Sequence, residues 1–400
     1  MNKVERLISE LCPDGVPSYS IREVFDLRNG YTPSKSNSKF WTDGTVPWFR
    51  MEDIQKNGRL LNSAIQCVHE SALKGAGVYE PYSIIMSTSA TIGEHAMIEV
   101  PFLANQRFTI LTRKLDFVER LRPKFAYYLM FGLAQFCKEN TTMSSFAGVE
   151  MAKFRDFTIQ IPPIQVQDEV IRILDAFTEL EAELEAELEA RKTQYEHYRH
   201  RLLSCEGIDS QELELGSFGR VLMCKRIMKD ETSIIGDVPF FKIGTFGGEP
   251  DAFIALEKFE EFKSKFSFPR VGSLLISAAG TIGKIVQYNG EPSYFQDSNI
   301  VWLDHDESVV LNEYLFHCYK IAKWSTDTGS IPRLYNSNIL KFRIKVPSIE
   351  EQKRIADFLG KFEALTNDSN SGLPAELAAR RQQYEYYRSK LLIFKELDVA

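Results

Sequence analysis

Tyr31, Ser34, Lys35, Asn37, Lys39 and Arg50 are candidate binding residues gathered in one stretch, punctuated by Gly30 and Pro33. Side chains of these types bind nucleic acids. Arg and Lys reach guanine or phosphate, Asn and Gln reach adenine, and hydroxyls reach phosphate oxygens. Gly, Pro and Ser make the stretch a loop, and loops on a rigid scaffold often carry binding. A solvated loop with incidental lysines has the same composition, which taken alone favours that plainer reading. A comparable run occurs in the second half at Lys225, Arg226 and Lys229, with Lys242 and Thr245 beyond it.

Two more stretches, Ser87–Gly93 (STSATIG) and Ser277–Lys284 (SAAGTIGK), offer amides and hydroxyls. Ser89, Thr91, Thr281 and Lys284 are the groups there that could meet phosphate. GTIGK is not a P-loop, because the GxxxxGK[ST] spacing fails and Ile285 stands where Ser or Thr would hold magnesium. Small residues after an apolar strand more often make a tight turn, so a structural role leads and DNA proximity is the alternative. The polar runs Lys138–Ser145 and Ser325–Arg333 are further candidate loops, with Arg333 and Asn336 the best-suited types.

Other chemistries find little support. The six cysteines form no CxxC pair and the six histidines no HExxH group, so neither a metal nor a disulfide framework is expected. The thiols fit a reducing cytoplasm, and no apolar run is long enough to span a membrane. There is no Walker motif, no nuclease carboxylate–lysine set and no glycine-rich cofactor loop. IPPI at Ile161–Ile164 has the wrong flanks for a methyltransferase tetrapeptide. No cofactor is expected, and the chain is not expected to be an enzyme. The net charge of −7 at first argues against nucleic acid. Residues 164–200, however, hold 4 basic against 10 acidic residues, residues 20–160 hold 17 against 14, and residues 214–345 hold 16 against 16. The acid is concentrated in one segment, and local patches rather than net charge bind phosphates.

That acidic segment is also what must position the rest. From Gln165 to Ser204, apolar residues including Phe177, Leu180, Leu184, Leu188, Tyr195 and Tyr198 recur in steps of three and four around EAELEAELEA. The spacing predicts one helix about 60 Å long with a narrow stripe seeking a partner helix. The partner is a second copy. Ile161–Leu174 returns as Val346–Leu359 and Ala190–Leu203 as Ala379–Leu392, placing Phe358, Phe362, Leu377, Tyr384 and Tyr387 on the matching stripe. The offset grows from 185 to 189 residues across Thr366–Pro374, which predicts an interruption near 368–374.

The duplication extends to the domains: Gly44–Ile54 matches Gly236–Phe246, Glu80–His95 matches Arg270–Ile285, Asn105–Leu111 matches Asp297–Leu303, and Lys124–Asn140 matches Asn312–Trp324. Strands and helices recurring in one order indicate an α+β fold with two similar domains. The expected layout is a domain over 1–163, a helix over 164–204, a domain over 205–347 and a helix over 348–400. Antiparallel pairing of the helices would relate the halves by a pseudo-twofold axis.

These features resemble the specificity (S) subunits of type I restriction-modification systems. The marks are NGYTPSKSNSKFWTDGTVPWFRMEDI (Asn29–Ile54), the paired TIG turns, IPPIQVQDEVIRIL, VPSIEEQKRIADFL and SGLPAELAARRQQYEYYRSKLL (Ser371–Leu392). The resemblance implies two target-recognition domains, each reading half of a gapped, asymmetric site in double-stranded DNA. It implies helices that act as spacer and as docking surface for two modification (methyltransferase) subunits, and it admits restriction (translocase/nuclease) subunits as further partners. The second half lacks the NGYTPSK…FW run, a departure that bears on which bases are read. A coiled-coil scaffold holding two ligand-binding domains apart without DNA is the competing reading.

Overall fold

The computed structural model describes residues 3–75, 77–142, 148–326 and 332–397. Two compact units divide the chain: Met1–Glu183 with Leu377–Ala400, and Leu184–Glu376. No helix among the described residues is long and apolar enough to cross a membrane.

The first unit begins with α1 (Lys3–Leu11) and β1 (Ser18–Ser20), followed by β2 (Phe25–Asn29), β3 (Val46–Phe49), β4 (Leu60–Leu61) and β5 (Cys67–Val68). Next come β6 (Ser83–Ser87), β7 (His95–Ile98), β8 (Leu103–Ala104) and β9 (Phe108–Arg113). Helix α2 (Pro123–Glu139) and β10 (Thr158–Gln160) lead into α3 (Ile164–Leu203). A five-stranded sheet has the order β2-β9-β6-β7-β4, and a three-stranded sheet the order β5-β3-β8. Strand β6 is buried throughout because both sheet faces are covered. Ile84 and Met86 meet the α2 side chains Phe125, Met130 and Leu133, while Ile85 joins Phe49 and Phe102 on the other face.

The second unit repeats this plan with β11 (Ser210–Glu214), β12 (Gly219–Met223), β13 (Val238–Phe241), β14 (Phe253–Ile254), β15 (Leu274–Ser277), β16 (Ile285–Gln287), β17 (Tyr294–Phe295) and β18 (Ile300–His305). Helix α4 (Asn312–Lys320), β19 (Arg343–Pro347) and α5 (Ile349–Asn367) follow, and then α6 (Leu373–Leu391), most of which belongs to the first unit. The sheets run β12-β18-β15-β16 and β14-β13-β17. Pairing agrees down to register: Trp48 and Phe49 lie parallel to Leu103 and Ala104, as Phe240 and Phe241 lie parallel to Tyr294 and Phe295.

One buried glutamine latches each domain to its long helix. Gln167 is fully buried; its Oε1 accepts from the Arg122 amide at 2.8 Å, and its Nε2 donates to the carbonyls of Arg120 (2.8 Å) and Pro162 (2.7 Å). Gln352 repeats all three bonds, from the Leu311 amide (2.9 Å) and to Val309 and Pro347 (3.0 Å each). The bonded amides lie beside the starts of α2 and α4, where helices have no internal partners for them. The glutamines of the IPPIQVQ and VPSIEEQ segments therefore set the joint between each domain and the helix that follows it.

Helix α3 is continuous over 40 residues. Within the first unit Phe177 stacks on Tyr387 (centroids 5.6 Å apart) and faces Tyr384, while Arg381 pairs with Glu181 at 2.6 Å. Within the second, Tyr195 stacks on Phe362 and donates to Glu363 (3.0 Å), and Tyr198 meets Phe358 edge-on. In each unit the partner number falls as the α3 number rises, so the helices run antiparallel. Leu188, Tyr195 and Leu377 are buried, and Leu180 and Leu184 partly so. Phe358 and Tyr387 stay 41% and 40% exposed, because α5 turns Ile355 and Leu359 into the domain core and leaves Phe358 at the seam's edge.

Helix α5 ends at Asn367 and α6 begins at Leu373. Asp368 accepts from the Asn370 amide and the Ser371 hydroxyl. A Cβ on Gly372 would lie 2.5 Å from the Ala364 carbonyl, so only glycine fits this reversal.

Each unit also buries one histidine. His95 packs against Phe131 (4.5 Å) and Tyr127, and burial pulls its pKa down to about 3. His317 falls to about 4, also through burial, although Glu363 at 3.9 Å pulls it back up.

Two outcomes are expected. Gln352→Ala should cost about 2–4 kcal/mol in urea unfolding, by removing three buried bonds and stranding their partners. Lowering the pH should also destabilise the fold. Both histidine pKa values lie below the unfolded value, so their stabilisation is complete above about pH 6.5 and is lost as pH falls toward 4. Each should withdraw about 2 kcal/mol between pH 6.5 and 5. His317→Gln should flatten that part of the stability–pH curve.

Candidate nucleic-acid interface

The parallel pair β3–β8 brings two distant loops together. Residue 50 follows β3 and residues 105–107 follow β8, and the Asn105 amide donates to the Phe49 carbonyl at 3.1 Å. Arg50, Arg107, Gln106, Lys35 and Gln66 therefore line one open cleft. Asp53, fully buried, holds two of its walls by accepting from the amides of Arg50 (2.7 Å) and Ile65 (2.6 Å). The Arg50 guanidinium lies over the Trp48 ring, 5.4 Å from its centroid. Its Nε has no hydrogen-bond partner, and Glu52 stands 3.8 Å away. An Arg carried on an aromatic face keeps its fork of donors for a planar acceptor.

The loop from Gly30 to Asp43 forms the other wall, held by tryptophans. Trp48 Nε1 donates to the Tyr31 carbonyl (3.1 Å), Trp41 Nε1 donates to the Ser34 carbonyl (3.0 Å), and the two rings meet edge-on. A Cβ on Gly30 would lie 2.2 Å from the Asn105 carbonyl, which explains the glycine. Ser34, Lys35 and Lys39 are exposed on this loop, and Asn37 caps the short turn through Lys39. Tyr31 is engaged in the fold: its hydroxyl donates to the Ala72 carbonyl (3.2 Å) and accepts from the Lys74 amide (3.3 Å).

The second domain builds the same cleft from different side chains. The Gln296 amide donates to the Phe241 carbonyl at 2.9 Å, so Lys242 occupies the place of Arg50 and Gln296 that of Asn105. Arg226, Lys229, Lys242, Asp251, Gln296 and Asp297 line it. Two of the three cations are already paired, Arg226 with Asp297 (2.7 Å) and Lys242 with Asp251 (2.8 Å). Arg333 braces one wall through Ser298 Oγ (3.1 Å) and Asn299 Oδ1 (3.0 Å). Thr245 closes a turn on the Lys242 backbone.

Other candidates do not join the clefts. The TIG turns are structural. Ser87 and Ser277 are buried and bond back to the Ser89 and Thr281 carbonyls. Gly93 and Gly283 have φ of +88° and +80°, and added Cβ atoms would strike the Ala134 carbonyl and Trp324. Ser89 and Thr91 lie on the first turn, and Lys284 donates to the Phe246 carbonyl. Lys225 sits over Phe266, and Asn336 opens the short helix Asn336–Leu340. Residues 143–147 and 327–331 of the two polar runs lie outside the described residues. No metal-holding group of His, Cys, Asp or Glu occurs among the described residues.

Sequence reasoning missed Gln66, Asn105, Gln106, Arg107 and Gln296. A signal existed: NQR and QDSN sit at the start of a repeated strand. Asp53→Ala should lower stability by about 2–4 kcal/mol and loosen Arg50, since two buried amides lose their acceptor; urea melts of the variant check this.

Comparison with known proteins fits this geometry. The model of the type I restriction modification DNA specificity domain matches residues 13–190 and again 208–379. A putative type I restriction enzyme specificity subunit of Haemophilus influenzae is 41% identical over 384 residues, 92% of each chain. The EcoprrI specificity subunit of Escherichia coli is 36% identical over 398 residues, again 92% of each. Among solved structures, the HsdS subunit from Thermoanaerobacter tengcongensis shares the fold at a TM-score of 0.55 and 15% identity, over 96% of this chain and 97% of that one. A chain of a type I R-M system reaches a TM-score of 0.63 at 16% identity, over 94% and 97%.

Proposed function

Since this chain belongs to the type I restriction-modification DNA specificity family, we propose that it is the DNA-recognition subunit of such a complex and reads a gapped, asymmetric duplex site. Each domain reads one half-site through its cleft. The observation that carries this is the recurrence of one backbone cleft in both domains, with cations and amides at its rim and different side chains in each copy. Equal frames with unequal side chains suit two unequal half-sites.

The chain itself performs no catalysis in this reading; methyl transfer belongs to modification subunits. Two such subunits dock on the helices, where Tyr386 is 51% exposed and Phe358 and Tyr387 about two-fifths exposed. Aromatic side chains of this kind are enriched at interfaces. Such a complex admits restriction (translocase/nuclease) subunits as further partners.

Arg50→Ala should weaken duplex binding by the assembled complex roughly 10- to 100-fold, the worth of one bidentate base contact. It should relax preference at one position of one half-site. A phosphate-contacting lysine, by contrast, lowers affinity evenly and reduces the salt slope by about one. Gel shifts across a salt series, with and without methyltransferase subunits, separate the two. Exchanging residues 20–160 for the same domain of a relative should alter only one half of the methylated site, which modification mapping reads directly. A simultaneous change in both halves would contradict independent domains.

A further inference from the structure

At the rim of the second cleft, Ile234 and Ile235 stand 85% and 87% exposed, beside Met228 at 57%. A mobile loop would explain such exposure, but this one is tied down. Ser233 exchanges two 2.9 Å backbone bonds with Phe253, and its hydroxyl donates to the Ile235 carbonyl at 2.6 Å. Thr232 bonds back to the Lys229 carbonyl (2.8 Å), and Glu231 accepts from the Met228 amide (2.7 Å) and from Lys258. A Cβ on Gly236 would lie 2.8 Å from that of Phe253, so the turn is packed as well as bonded. Two β-branched side chains are thus held out on an ordered tip, in a loop that exposes Arg226 and Lys229 together with Asp230, Glu231 and Asp237. In the first domain the corresponding loop instead exposes Ser34, Lys35 and Ser36.

An ordered apolar tip at the rim of the proposed DNA cleft fits a partner surface that carries isolated apolar groups. Duplex DNA has such a surface, since thymine presents a 5-methyl group among the polar edges of the major groove. We propose that Ile234 and Ile235 form an apolar reading tip through which the second domain recognises thymine methyl groups in its half-site. The proposal rests on the cleft being the DNA interface. It adds that the two domains read by different chemistry, the first by hydrogen bonds and the second partly by methyl contact.

The test uses the complex with its modification subunits and a duplex carrying the site found methylated in the host genome. The second domain's half-site is identified by domain exchange. Each thymine of that half-site is replaced in turn by deoxyuridine, which removes only the methyl group. At one or more positions the wild type should bind about fourfold more weakly, the worth of one methyl group returned to water. An I234S/I235S variant should lose that sensitivity while responding normally to changes in the other half-site. Wild-type indifference to uracil throughout would overturn the proposal, as would a half-site without A·T pairs or an unchanged uracil response in the variant. A variant that sheds its methyltransferase subunits yet keeps the uracil response would make the tip a protein contact, which also overturns it. Arg226→Ala and Lys242→Ala separate the two levels. If both leave affinity unchanged, the cleft reading itself fails; if they weaken binding while uracil is neutral, only the tip is lost.

Discussion

The joint between each domain and its long helix depends on one side-chain amide. Gln167 and Gln352 each spend their hydrogen-bonding capacity inside the protein, on one amide and two carbonyls that regular structure leaves unpaired. A neutral amide suits the site because it donates and accepts at once, without the desolvation cost of a charge. The consequence reaches outward. With the first turn of each helix fixed against its own domain helix, the phase of the residues that follow is set, and with it the faces that Phe177 and Phe362 present to partners within their own units.

The clefts obey a second constraint of the same kind. Their walls are backbone, set by the short parallel pairs β3–β8 and β13–β17 and by one amide–carbonyl bond after each. None of these bonds depends on the side chains that face the groove. Arg50 can therefore become Lys242, or an Asn become Gln296, without disturbing the frame. Within the first domain the exception is Asp53, whose buried carboxylate ties two wall segments together and is as much part of the frame as the strands. The second cleft is nearly self-neutralised by Asp297 and Asp251, so an incoming anion or base must compete with existing ion pairs.

Much of the architecture was legible in the chain, because repetition and helical periodicity are local signals. The long helix, its second copy, the break near Gly372 and the paired TIG turns each leave a mark within a few consecutive residues. The clefts do not. They arise where residue 49 meets residue 104, a pairing that no local pattern announces, so Arg50 could be singled out while Arg107 and Gln106 passed as the start of a strand. Tyr31 shows the same limit from the other side, since its hydroxyl bonds to Ala72 and Lys74, more than forty residues away in sequence. The bonds of Arg333 to Ser298 and Asn299 likewise join segments that are distant in sequence.

The first unit closes with the last part of the chain. Val16 bonds to Lys395 and Leu397, Gln160 exchanges two bonds with Phe394, and Arg388 lies 3.9 Å from the Phe131 ring centre. During synthesis at about 5–20 residues per second, those residues emerge roughly 10–40 s after the domain they complete. For that interval the nascent first domain lacks these partners, whereas the second unit, Leu184–Glu376, is drawn from one continuous segment. The half that leaves the ribosome first is thus the half finished last, and a nascent chain halted just short of Leu377 holds every residue of the second unit but not of the first.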